Sequence, residues 1–189
     1  MNKRVFVAAV LAAAFLTVGC TTSTTSSAVD PATRRANLET AVDGALANLY
    51  RQVEGSEQLV GSAKGVLVFP NVLEAGLVLG GSRGDGALRK DGKTASFHRT
   101  TSGSWGLQAG AQSTAVFLLF MTDEALARFQ KSSGWSVGVD ANVTLISVGA
   151  NAQVSSDTAQ QPVIGYVLSN RGLMAGLTMN GTRITPLRL

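Results

Sequence analysis

The sequence predicts an α+β fold: a strongly curved, mostly antiparallel sheet or barrel-like core of about ten short strands, with an N-terminal amphipathic helix and one internal helix. Three observations carry this expectation. Apolar residues recur at three- and four-residue spacing between Leu38 and Val53, from residue 65 onward the period drops to two or to short apolar runs, and 21 glycines punctuate the 189 residues. Glycines bordering so many short strands permit the bends and close approaches that a curled sheet requires.

The first segment is an address rather than part of the fold. Lys3 and Arg4 precede a mostly apolar stretch, residues 5–18, and Gly19-Cys20 follow. The apolar stretch is too short to span a bilayer, and with its basic flank it reads as a secretory signal peptide over residues 1–19. Leu16-Thr17-Val18-Gly19-Cys20 resembles a bacterial lipobox. The resemblance implies that Cys20 becomes the N-terminus and carries an acyl anchor, and that Thr21 directs sorting to the outer membrane, periplasmic face. Cys20 is the single cysteine, which removes disulfides and thiolate metal clusters from consideration. Cleavage leaves 189 − 19 = 170 residues and, without Lys3 and Arg4, lowers the formal charge from +4 to +2. Electrostatic arguments are therefore local, and no nucleic-acid partner is expected.

Residues 20–29 are Ser/Thr-rich without apolar periodicity and read as a tether, about 30 Å long when extended. The remaining segment, 30–189, is the domain. Asp30-Pro31 supplies a carboxylate cap and a proline suited to the first helical position. Leu38, Ala41, Val42, Ala45, Leu46, Leu49 and Val53 then form one stripe, with Arg34, Arg35, Glu39, Asp43 and Arg51 on the polar side. The mixed charges of that side favour packing on a core over membrane insertion. A shorter helix is expected over 57–63. Residues 66–69 form an apolar, β-branched run stopped by Pro70-Asn71, and residues 76–79 a second run. Alternation at Trp105, Leu107 and Ala109 and a continuous run over 115–121 give further strands, and Asp123 opens a helix bearing Leu126 and Phe129. Odd positions from Trp135 to Leu145 are apolar, then even positions from Ile146 to Val154, a phase change that calls for a bulge or tight turn near Leu145. Residues 163–168, 173–177 and 184–187 supply the last strands. Residues 75–83 and 175–183 share five of nine identities, which marks two similar strand-to-turn corners in one sheet.

Residues 74–99 concentrate glycine and positive charge. Asp91-Gly92 is a strong hairpin turn. An uninterrupted register from it sets Lys90 against Lys93, Arg89 against Thr94, Leu88 against Ala95, Gly86 against Phe97 and Asp85 against His98. Leu88, Ala95 and Phe97 then share one face, and His98 is a surface residue beside a carboxylate. Facing lysines repel, and an anion between them relieves the repulsion.

Enzyme motifs in this stretch fail on context. Gly80-Gly81-Ser82-Arg83-Gly84 fits a nucleophile elbow, yet a hairpin rather than a helix follows, and the only histidine is His98. Gly92-Lys93-Thr94 ends like a phosphate loop, but Ala87 stands where its first glycine belongs and a strand follows. The glycines likewise lead into no helix, so they make no dinucleotide fingerprint. No histidine or cysteine pair is present to hold a transition metal. Neither enzymatic activity nor a cofactor is expected.

Ala63-Lys64-Gly65-Val66-Leu67-Val68-Phe69-Pro70, the glycine run 76–88, Gly106-Leu107-Gln108-Ala109-Gly110-Ala111-Gln112 leading into Val116-Phe117-Leu118-Leu119-Phe120-Met121-Thr122, and Gly165-Tyr166 with Ser169-Asn170-Arg171-Gly172-Leu173-Met174-Ala175-Gly176 together resemble the SYLF domain family. The resemblance runs from Leu38 to residue 189. It departs in two places: a Trp-Ser-x-Pro element is missing near residues 95–97, and Thr114 replaces an aspartate. Members of that family are described as lipid-binding. Eukaryotic ones recognise phosphoinositides and anionic membranes, and some bind actin filaments; bacterial ones are commonly exported or lipidated. The resemblance implies that the domain binds anionic, phosphoinositide-like phospholipid headgroups, and the basic residues available are Lys64, Arg83, Arg89, Lys90, Lys93 and Arg99. Five Lys/Arg stand against Asp85 and Asp91 between residues 83 and 99. The alternative is an envelope structural or protein-interaction module that uses sheet edges or apolar corners and ignores headgroup charge.

Overall fold

Asp30 sets the start of the first helix: in the computed structural model its carboxylate accepts hydrogen bonds from the amides of Ala32 (3.1 Å) and Thr33 (3.3 Å). The structure describes residues 30–76, 79–105, 110–146, 161–169, 172–173, 179 and 181–189. The expected export signal, Cys20 and the expected tether lie outside these residues. So do Leu107, Ala109, the second half of the alternation after Ile146 and much of the second copy of the repeat.

Helix α1 (Pro31–Gln52) is followed by α2 (Ser56–Ser62), β1 (Gly65–Gly76), β2 (Leu79–Lys90), β3 (Lys93–Trp105), β4 (Gly110–Phe120), α3 (Asp123–Lys131), β5 (Trp135–Ser136), β6 (Thr144–Leu145), β7 (Val163–Ser169), β8 (Gly172–Leu173) and β9 (Arg183–Leu187). Among the described residues the strands make a nine-stranded sheet in the order β5-β9-β3-β2-β1-β4-β7-β6, with β8 added beside β7. All pairs are antiparallel except β6 with β7. The sheet is curled into a half-barrel, so the α+β expectation with a strongly curved antiparallel sheet holds.

Alternation along the strands sends side chains to two separate cores. On the inner face Leu67, Phe69, Leu88, Leu118 and Phe120 meet Leu126 and Phe129 of α3 and Trp135 of β5. Thr122 caps α3 by accepting from the Ala125 amide at 3.2 Å. The rings of Phe120 and Phe129 lie 4.8 Å apart, and Trp135 stands edge-on to Phe129 at 5.6 Å, the offset geometry that ring quadrupoles favour. On the outer face Val66, Val68, Ala87, Phe117, Leu119, Ile164, Tyr166 and Leu168 pack under Val42, Leu49 and Val53 of α1 and the residue following it. Each fully buried aliphatic or aromatic side chain contributes roughly 1.5–3 kcal/mol.

Four details differ from expectation. Pro70 does not stop a strand: β1 runs straight through it as a bulge, against β2 between Val68 and Asn71 and against β4 between Phe69 and Val72. A bulge tolerates a residue without an amide proton, which the apolar run alone does not reveal. Of the run expected over residues 76–79, Gly76 ends β1 and Leu79 opens β2, so its two ends belong to different strands, and residues 77 and 78 lie outside the described residues. The hairpin register holds for Lys90 with Lys93 and Arg89 with Thr94, then slips, because Ala95 is an extra residue and Leu88 faces Ser96. Beyond it Ala87 pairs with Phe97, Gly86 with His98 and Asp85 with Arg99, so Phe97 joins the outer core while Leu88 belongs to the inner one. The odd-position alternation after Trp135 is also not one strand. The chain turns at Gly138 (φ 86°), Val139 is exposed, and Val137 bridges back to Ala141. At the expected phase change, Leu145 ends β6 and packs against the inner core while Ile146 is buried in the outer one; the rest of the even-position run lies outside the described residues.

Gly86 shows why the curl demands glycine. A Cβ there would sit 2.3 Å from the Val68 carbonyl oxygen and 2.5 Å from the Phe69 ring. One position pair away, Gly84 would place its Cβ 2.8 Å from the Asn71 carbonyl oxygen. The inner side of β2 is thus pressed onto the β1 bulge. Among the described residues, no helix is long and apolar enough to cross a membrane.

Candidate functional site

The six basic residues singled out in the sequence fall into three settings. Lys90 and Lys93 are directly opposed beside the turn, where Asp91 (φ 51°) and Gly92 (φ 73°) both adopt the left-handed conformation of a two-residue hairpin loop. Both lysines are exposed, and so is Lys64, just before β1. Because Val66 pairs with Arg89, Lys64 lies at the same end of the sheet as the hairpin tip. These three cations form one surface.

Arg89 takes a different course. It projects onto the outer face, where its guanidinium pairs with Asp43 of α1; the arginine side chain is 16% exposed and the aspartate 68%. This contact ties the hairpin to the helix and leaves Arg89 less available to an external anion.

Arg83 and Arg99 lie farther along the strands. Lys90 lies seven positions beyond Arg83, roughly 23 Å of extended chain. Arg99 donates to both oxygens of Asp85, Nε to Oδ1 at 2.6 Å and Nη2 to Oδ2 at 2.8 Å. Arg34 of α1 approaches the same carboxylate at 3.9 Å. The Arg99 hydrogen bonds hold the Asp85 carboxyl below its ordinary range against the opposing effect of burial, with Arg83 and Arg34 adding to the pull. Three guanidiniums therefore surround one carboxylate. The sequence placed Arg34 on the polar side of α1 and did not connect it to Asp85. The available signal was its spacing, four residues before Leu38 and seven before Ala41, which puts it on the packed stripe.

Beside this cluster an open groove of about 750 Å³ runs between the N-terminal half of α1 and the outer face of β1 and β2, lined by Leu38, Ala41, Pro70, Leu73, Arg83, Asp85 and Thr101 among others. Leu73 is 56% exposed, an apolar side chain on strand β1 that α1 leaves uncovered. Arg83 and Arg183, equivalent positions in the two copies of the repeat, both pair with Thr101, one from each side.

The residues behind the rejected enzyme motifs are also placed. Ser82 lies within β2 rather than at a strand-to-helix elbow, and its hydroxyl shares a 2.7 Å hydrogen bond with that of Ser102. His98 is not a surface residue facing Asp85: it is 6% exposed on the inner face, with its ring 4.8 Å from that of Phe129 and its Nε2 2.8 Å from the Ser96 hydroxyl. The bulge at Ala95 rotates it there. Burial lowers its pKa to about 4, and Nδ1 finds no hydrogen-bond partner among the described residues. Among those residues no three His, Cys, Asp or Glu side chains converge on a point where a metal could sit.

The family model Ysc84, described as "Las17-binding protein actin regulator", matches residues 101–188, from the last third of β3 to the residue after β9. No curated protein matches the chain.

Proposed function

Since this chain belongs to the SYLF domain family through residues 101–188, a family of lipid- or actin-related binding modules, we propose that it binds anionic phospholipid headgroups with the hairpin tip of its sheet. The observation that carries the proposal is the exposed pair Lys90 and Lys93, held face to face by a rigid two-residue turn with Lys64 at the same end. Opposed ammonium groups repel, and an anionic oxygen between them turns that cost into attraction. Near an anionic bilayer each such cation contributes about 1 kcal/mol, fading over roughly a Debye length.

In this reading Cys20 carries the acyl chains and places the domain at the periplasmic face of the outer membrane. The tether keeps Asp30, where the domain begins, within about 30 Å of the surface, so weak intrinsic affinity suffices through effective concentration. Lys64, Lys90 and Lys93 bear on the bilayer, Arg89 braces the hairpin against α1, and Arg83 and Arg99 belong to the groove. The domain works by binding, without a catalytic step or a cofactor.

Flotation on defined liposomes tests this. The expected result is co-flotation with phosphatidylglycerol or cardiolipin vesicles, little with neutral ones, and loss on Lys90→Ala with Lys93→Ala. Equal flotation on both vesicle types refutes headgroup recognition. A second reading, an envelope protein-interaction module, draws on the family description, whose printed words name a protein-binding regulator. It predicts capture of a protein partner that is indifferent to the two lysines. The anchor has its own test: fatty-acid label must be absent from a Cys20→Ala protein.

A further inference from the structure

The groove beside α1 joins two features that neither the hairpin tip nor the packing of the core accounts for. Its floor is apolar and incompletely covered: Leu73 is 56% exposed, with Leu38, Ala41 and Pro70 beside it. One end is lined by Arg83 and Asp85, and Arg34 and Arg99 reach the same Asp85 carboxylate from beside the groove, three positive charges against one negative. The Arg99 fork is already occupied by Asp85 through two hydrogen bonds, which fixes both groups. Arg34, with 46% of its side chain exposed, and the exposed Arg83 are left to meet an incoming anion.

An apolar trough with a guanidinium cluster at one end fits a molecule that is apolar along its length and anionic at one tip. We propose that the groove binds a single-chain anionic lipid, a long-chain fatty acid, with its carboxylate between Arg34 and Arg83 and its chain along Leu38, Ala41 and Leu73. A volume of about 750 Å³ is in the range of sites that take one small ligand. Planar guanidiniums suit a carboxylate because each offers paired donors, and Asp85 keeps the cluster from being a diffuse positive field by locking one of its members. Beneath the groove β1 bulges at Pro70, and Val42 and Leu49 seat the following turns of α1 on the outer core.

This inference deepens the lipid-binding reading and rests on it for the chemical class of the ligand, but it uses different residues from the tip. The test is titration of the full-length protein with 11-(dansylamino)undecanoic acid, a fluorescent fatty acid, in the absence of vesicles. Saturable binding with a blue-shifted emission is expected, competed by oleate and not by methyl oleate. The double variant Arg34→Gln, Arg83→Gln should weaken it by about tenfold or more. Leu73→Asp should weaken it as well, while Lys90→Ala with Lys93→Ala should leave it unchanged. Absence of saturable binding, or wild-type affinity in the Arg34→Gln, Arg83→Gln protein, overturns the groove assignment. Far-UV circular dichroism and a thermal melt of each variant establish that a loss of binding is not a loss of fold. If the fatty acid fails to bind while anionic vesicles still float the protein, the groove is wrong and the tip survives; the reverse pattern leaves the groove standing without the tip.

Discussion

Replacing His98 by glutamine should flatten the dependence of stability on pH between 7 and 5. In the folded protein the ring is 6% exposed and packed on Phe129, and burial lowers its pKa from 6.5 to about 4. The unfolded chain takes up a proton as pH falls through 6.5, whereas the folded chain does so only near 4. Within that window the unfolded state binds more protons, so stability falls as pH falls. The full gap corresponds to roughly 3 kcal/mol, of which roughly 2 kcal/mol develops between pH 7 and pH 5. Asp85 acts in a lower window. Its pKa is depressed from 3.8 by the Arg99 hydrogen bonds, so its stabilisation is present above that value and is lost as pH falls below it. Urea unfolding of the wild type and His98→Gln at pH 7, 6 and 5 isolates the histidine. The wild type should lose roughly 2 kcal/mol more than the variant over that range. Equal losses would show that the ring is hydrated or can find a charge partner, and that its inner-face placement is wrong.

Other expectations concern packing. Tyr166 is fully buried in the outer core, its hydroxyl has no hydrogen-bond partner among the described residues, and burial raises its pKa to about 12. Tyr166→Phe should therefore be neutral or stabilising, by up to about 1–3 kcal/mol in thermal or chemical unfolding; a loss of more than about 1 kcal/mol would mean that the hydroxyl is satisfied after all. Gly86→Ala should cost at least about 1–3 kcal/mol, since its Cβ meets backbone at 2.3 Å, whereas Gly103→Ala, with nothing within 4 Å of its Cβ, should be tolerated. Similar unfolding midpoints for the two variants would contradict the tight approach of β2 to the bulge.

Local chemistry made much of this fold legible. The Asp30-Pro31 start, the apolar stripe of α1, the helix bearing Leu126 and Phe129, and the Asp91-Gly92 turn all depend on spacings of four residues or fewer, and all stand where the sequence put them. Two of the failures trace to single inserted residues. Ala95 moved His98 from an expected surface to the inner core, and Pro70 was absorbed by a bulge that no period-two pattern encodes. Once the register slipped, Asp85 gained Arg99 as its neighbour instead of His98, and the cationic stretch divided into a tip and a groove. Arg34 and Asp43 entered the picture only because α1 lies across the outer face, a tertiary fact their own neighbourhoods do not carry.

The division into tip and groove makes the central claim measurable. Partition of the full-length protein onto vesicles containing phosphatidylglycerol, compared between wild type and Lys90→Ala with Lys93→Ala at moderate ionic strength, tests it most directly. At about 1 kcal/mol per cation, the double variant should bind roughly 30-fold more weakly, and the difference should shrink as salt is raised. An unchanged partition coefficient, or a loss independent of salt, would contradict headgroup binding by the hairpin tip.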